Sequence, residues 1–115
     1  MGLKLEFKMS RLEKLQEFLK ESPNDPFLKY AIATEILKLG NEKEAAEHFY
    51  KLVESDPDYV GTYYHLGKLL EKLDDEKEAL RIYEEGIQVA TKMRDSNALR
   101  ELRQAHQELI DELEY

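Results

Sequence analysis

Apolar residues recur three and four positions apart along most of this chain, a spacing that predicts amphipathic α-helices. The clearest stretch runs from Val60 to Thr91. There Tyr63, Leu66, Leu70 and Leu73 form one stripe, and Ala79, Leu80, Tyr83 and Ile87 form a second after a polar break at Asp74-Asp75. Two helices joined by a tight turn follow from that pattern. Gly67 and Ala79 are small where two such helices must approach closely.

The same reading extends upstream. Ser10 with Glu13 has the spacing of a capping box, and Leu12, Leu15, Phe18 and Leu19 supply an apolar face that ends at Glu21-Ser22-Pro23. Asp25 then caps a helix with Pro26 in its first position, where a missing N–H costs nothing. Leu28, Ile32, Ile36 and Leu39 form its stripe, and Gly40 suits the left-handed turn that closes helices. Asn41 and Glu44 predict a second capping box, repeated by Asp75 and Glu78. Between them Ala45, Ala46, Phe49, Leu52 and Val53 face inward, and Asp56-Pro57 ends that helix. Downstream, Leu99, Leu102, His106, Leu109 and Leu113 step by three and four, a coiled-coil-like seam. Residues 1–8 alternate apolar and polar at Leu3, Leu5 and Phe7. A lone strand would have no partner among helices, so a flexible extension or a foreign leader is expected, with Met9 as an alternative start.

Positions 34 residues apart match: Pro23 with Pro57, Ala45 with Ala79, and Phe49 with Tyr83. Leu15 falls in register with Phe49 and Tyr83, and Leu19 with Val53 and Ile87. This period, together with Tyr63, Leu66, Gly67, Leu70, Ala79 and Tyr83, resembles the tetratricopeptide repeat. The resemblance implies an all-α solenoid of antiparallel helix pairs closed by a C-terminal capping helix. Residues 9–115 would form one domain: a half repeat over 9–22, full repeats over 26–59 and 60–93, and the cap over 96–114. The first repeat departs from the pattern, with Lys29 where an aromatic is usual and Ala33 in place of the glycine. Leu52 and Gly86 stand where alanine is usual. Different packing at the outer end of the first repeat is therefore expected.

Composition changes the picture mainly by exclusion. The chain has 115 residues, 37% of them charged, and few glycines or prolines, which favours an all-helical globular protein. A net charge of −8 opposes a general nucleic-acid role, which needs a dense cationic face. Without cysteine there are no disulfides or thiolate metal sites. No run is long and apolar enough for a membrane span, and the first residues lack a signal peptide's apolar core, so the cytoplasm is the expected compartment. His48, His65 and His106 lie on separate predicted helices with no paired spacing, and no phosphate loop, zinc motif or nucleophile elbow occurs. No catalytic residue, metal or cofactor is expected.

What remains is surface. The resemblance implies that the first helix of each pair lines a concave groove where peptides bind. Its positions fall on Phe27, Tyr30, Thr34 and Lys38 in the first repeat and on Tyr64, Lys68 and Lys72 in the second. Ala98, Leu102 and Arg103 would close the far side. Aromatics beside lysines suit a protein or peptide partner of acidic and apolar character. Relatives that clamp a peptide's terminal carboxylate use Lys, Asn and Arg; Tyr30, Thr34, Tyr64 and Lys68 at the matching positions depart from that pattern. The alternative function is self-association as a homodimer through the seam Leu99, Leu102, His106, Leu109 and Leu113 and the open repeat ends.

Overall fold

The computed structural model describes residues 9–114. The extension expected over residues 1–8 lies outside the described residues. These form six α-helices and no strand: α1 Arg11–Glu21, α2 Pro26–Lys38, α3 Glu42–Ser55, α4 Gly61–Lys72, α5 Glu76–Lys92 and α6 Ser96–Leu113. Each helix packs on the next, and α6 also reaches α4. Such stacking of neighbours builds a helix-pair solenoid.

Local chemistry sets the helix ends. Ser10 and Glu13 form the expected reciprocal capping box at α1, with bonds of 3.1 and 3.2 Å. The Asp25 carboxylate accepts from the Phe27 amide at 2.9 Å, with Pro26 at the first helical position. The two later boxes differ from expectation. Asn41 makes no side-chain cap bond, and Asp75 accepts from the Glu78 amide at 3.4 Å without the return bond. Ser10 is extended (ψ 165°), whereas the Asn41 and Asp75 backbones are bent (ψ 71° and 66°). Glu78 is also engaged elsewhere: it accepts from the Tyr50 hydroxyl at 2.9 Å and pairs with Arg81 at 2.6 Å.

α2, α4 and α5 all end in the same motif, with a left-handed residue at Gly40, Asp74 and Arg94 (φ +90°, +62° and +57°). The following amides return to the last turn, Asn41 to the Ile36 carbonyl, Asp75 to Leu70 and Asp95 to Ala90. This is the Schellman arrangement, which satisfies carbonyls a helix end leaves open.

The core runs the length of the stack. Leu15, Ile32, Ile36 and Phe49 continue into Tyr63, Leu66, Leu70, Ile82 and Tyr83, and end at Leu102 and Leu109. The close approach read at Gly67 is present, and Gly86 makes another. A Cβ on Gly67 would stand 2.6 Å from Cδ1 and 2.7 Å from Cζ of Tyr83. One on Gly86 would stand 2.5 Å from the Tyr63 Cβ.

Candidate peptide groove

The first helices of the pairs, α2, α4 and α6, share one face, and the residues expected to line a groove form two groups on it, with Leu102 apart from both. Tyr30 on α2 and Tyr64 on α4 are half-buried and meet through His65. Tyr30 stands edge-on to the imidazole with centroids 5.5 Å apart, and Tyr64 does so at 5.7 Å. Tyr30 also packs against Phe49 at 6.3 Å and Tyr59 at 5.6 Å, so its inner edge is core and its outer edge is surface. Phe27 is 58% exposed at the beginning of α2. Thr34 spends its hydroxyl on its own helix, donating to the Tyr30 carbonyl at 2.9 Å.

The lysines form the second group, and two are already engaged. Lys72 reaches Glu42 on α3 at 2.7 Å, and Lys68 lies 3.8 Å from Glu71. Lys38 is exposed and pairs with no carboxylate among the described residues.

Leu102 requires a correction. It is 1% exposed, with its Cδ1 against the backbone of Gly86, and no ligand reaches it. Register alone placed it 34 residues after Lys68. The rotation of α6 about its axis is instead set by its apolar stripe, which must face the core because burial of leucine is worth more than register. The groove wall on α6 is consequently Glu101, Gln104, Ala105 and Glu108. With Tyr64 and Lys68 they line a cavity of about 170 Å³.

The same burial corrects the dimer seam. Leu102 and Leu109, two of its central residues, are each 1% exposed within the single chain. Leu99 is half-buried, and His106 Nε2 lies 3.3 Å from Glu84 on α5. Only Leu113, 52% exposed, points outward. The stripe that looked available to a second copy covers the open end of the second repeat.

His65 was passed over in sequence because it lacks a ligand-spaced partner, yet it joins the two halves of the aromatic patch. Its equivalent 34 residues earlier is Ala31, and the exchange of a methyl for an imidazole was the available signal. Burial pushes the His65 imidazole below its usual range, while the Glu101 carboxylate pulls the other way. It is therefore held neutral near pH 7, as a ring that packs. Burial likewise pushes the Tyr30 and Tyr59 hydroxyls up.

A second, more apolar hollow of about 370 Å³ opens among α1, α2 and α3, with Leu19, Ile32 and Leu52 in its walls and Lys29 and Lys51 beside them. Among the described residues no group of three or more acidic or histidine side chains is placed to hold a metal ion. No described helix is long and apolar enough to cross a membrane.

Known proteins supply the comparison. The tetratricopeptide repeat model matches residues 28–59 and 60–92. A TPR repeat-containing protein of Pseudomonas aeruginosa is 29% identical over 91 residues, covering 79% of this chain and 87% of that protein. A crystal structure of a tetratricopeptide repeat domain protein from Salinibacter ruber is 48% identical, with a TM-score of 0.73, over 76% of this chain and 97% of that one. The TPR2B domain of yeast Sti1, described in complex with an Hsp70 peptide, has a TM-score of 0.79 over 88% of this chain and 81% of its own. At 20% identity that is a likeness of fold.

Proposed function

This chain belongs to the tetratricopeptide repeat family, and we propose that it is a non-catalytic protein-interaction module whose α2–α4–α6 face binds a peptide segment or a helix of a partner protein. One observation carries the reading. Tyr30, His65 and Tyr64 form a continuous patch of half-exposed rings across two repeats, with Phe27 exposed at its edge. Rings held in this way offer rigid contact area at low entropic cost. The yeast domain of similar fold is described with a peptide bound, which supports the general mode and carries no partner over. A cytoplasmic setting belongs to the same proposal, supported by the absence of cysteine. Homodimerisation through α6 is not favoured, since its leucines are occupied within the chain.

The expected preference for acidic ligands has little support, because Lys72 and Lys68 are turned toward Glu42 and Glu71. Contact energy on this face comes from the rings. The test is selection of 12-residue peptides from a displayed random library on the full chain. Binding to Phe27→Ala/Tyr64→Ala should fall at least roughly tenfold, the scale of losing aromatic anchors, with circular dichroism unchanged. Peptides that bind this folded variant as well as the parent would place the interaction elsewhere.

A further inference from the structure

Resting on that groove reading, we infer that its ligand carries an arginine beside an apolar anchor, the anchor seated on Tyr30, His65 and Tyr64 and the guanidinium in the Glu101–Glu108 cavity. The cavity of about 170 Å³ adjoins the aromatic patch, and Tyr64 belongs to both. A ligand can therefore fill the two with neighbouring residues or residues one helical turn apart. The walls contain two carboxylates, Glu101 and Glu108, against a single ammonium, Lys68, which a third carboxylate, Glu71, already attends at 3.8 Å.

Glu101 pairs with no cation among the described residues, and Glu108 accepts only the Gln104 amide, at 3.0 Å. Both are exposed, so they remain free for a ligand. A guanidinium suits the place better than an ammonium. Its planar fork can serve two carboxylates, and its face can lie on the Tyr64 ring. The chain's net charge of −8 favours approach of a cationic segment, where it would oppose an acidic one.

The experiment uses the peptides selected above, resynthesised and measured by fluorescence anisotropy at low and high salt. Groove-dependent peptides should carry Arg next to an aromatic or branched aliphatic residue. Glu101→Gln/Glu108→Gln should weaken them roughly twofold to thirtyfold, the range for losing two exposed to partly desolvated pairs, and should flatten their salt dependence. Glu47→Gln/Glu54→Gln, the same charge change among exposed residues of α3, should leave binding unchanged. If groove-dependent peptides are acidic or uncharged, or ignore Glu101→Gln/Glu108→Gln, the inference is overturned while the groove stands. If both glutamate pairs weaken binding equally, the effect is only the overall charge and the inference also fails. If selected peptides ignore Phe27→Ala/Tyr64→Ala, the groove reading itself fails and takes this one with it.

Discussion

The two full repeats solve one packing problem with exchanged parts. In the second, Tyr63 crosses over Gly86 and donates from its hydroxyl to the Pro57 carbonyl at 2.6 Å. In the first, the equivalent residues are Lys29 and Leu52. Leu52 supplies the bulk from the second helix, and Lys29 turns toward Asp56 at 3.1 Å and Ser55 at 3.3 Å. A leucine and a lysine stem do not reproduce a tyrosine ring, and the hollow of about 370 Å³ beside them is the remainder. The other pair keeps its arrangement and changes only its polar partner. Tyr83 lies on Gly67 and donates to the Glu71 carboxylate, whereas Phe49 opposes Ala33 with Leu37 in place of the glutamate. In the first pair the bulk therefore moves from the first helix to the second, whereas in the other pair the ring stays on the second helix and faces a small residue in both repeats.

That account is most severely tested by moving one partner without the other. Gly86→Leu imports the first repeat's residue opposite an unchanged Tyr63, and its Cβ alone would stand 2.5 Å from the tyrosine Cβ and 3.2 Å from Leu102 Cδ1. A loss of about 3 kcal/mol or more is expected from such overpacking. Adding Tyr63→Lys should restore much of it, because the first repeat tolerates that combination. Urea denaturation of both single variants and the double variant gives the coupling directly. Losses that simply add would end the idea of volume exchange.

The next effect concerns the second repeat's outer boundary. The first repeat is covered by α1 on one side and α4 on the other; beyond the second, among the described residues, stands the single helix α6. Leu102→Ala should cost about 2–5 kcal/mol, the range for a buried leucine that leaves a cavity. Leu113→Ala, at an exposed position, should stay within about 0.5 kcal/mol. Light scattering run alongside distinguishes cap from seam. A folded Leu102→Glu protein of half the parent mass would return α6 to the role of dimer interface.

Most of the fold was legible because helical spacing, the 34-residue period and the small residues at crossings all point one way. The face was legible only in part. Tyr30 and Tyr64 lie on it because α2 and α4 each have a helix pair behind them, so equal register means equal direction. Among the described residues α6 has no following helix to set its direction, and its leucines turn it until Leu102 is buried and Glu101 and Glu108 face outward. His65 escaped notice because its partners come from α2 and α3, residues 35 and 16 positions away. The capping boxes failed at Asn41 and Asp75 for a different reason: backbone bend and the competing Tyr50 and Arg81 bonds to Glu78 have no signature in the spacing.

The smallest effect sharpens the contrast between Phe49 and Tyr83. Burial first, and then the bond to the Glu71 carboxylate and its charge, push the Tyr83 hydroxyl up. Burial pushes Tyr63 up to about 12. An unfolded tyrosine loses its proton near pH 10, so between there and the folded value the native chain holds more protons than the unfolded one. Stability must then fall as pH rises. The contribution is complete below about pH 10, and for Tyr63 it is lost by about pH 12. Phe49 cannot titrate, so the loss that arises at this ring position belongs to the second repeat, while Tyr30, Tyr50 and Tyr59, whose hydroxyls are also pushed up, add to the alkaline loss from the first. Tyr83→Phe should cost about 1.5–3 kcal/mol at neutral pH through the lost bond to a charged acceptor. The variant should nonetheless lose less than the parent on going to alkaline pH, and the two denaturation midpoints should converge above pH 10. Midpoints that stay parallel would mean that the Tyr83 hydroxyl is not desolvated in the folded chain, and the pairing of ring with glycine would then be looser than the close approach at Gly67 requires.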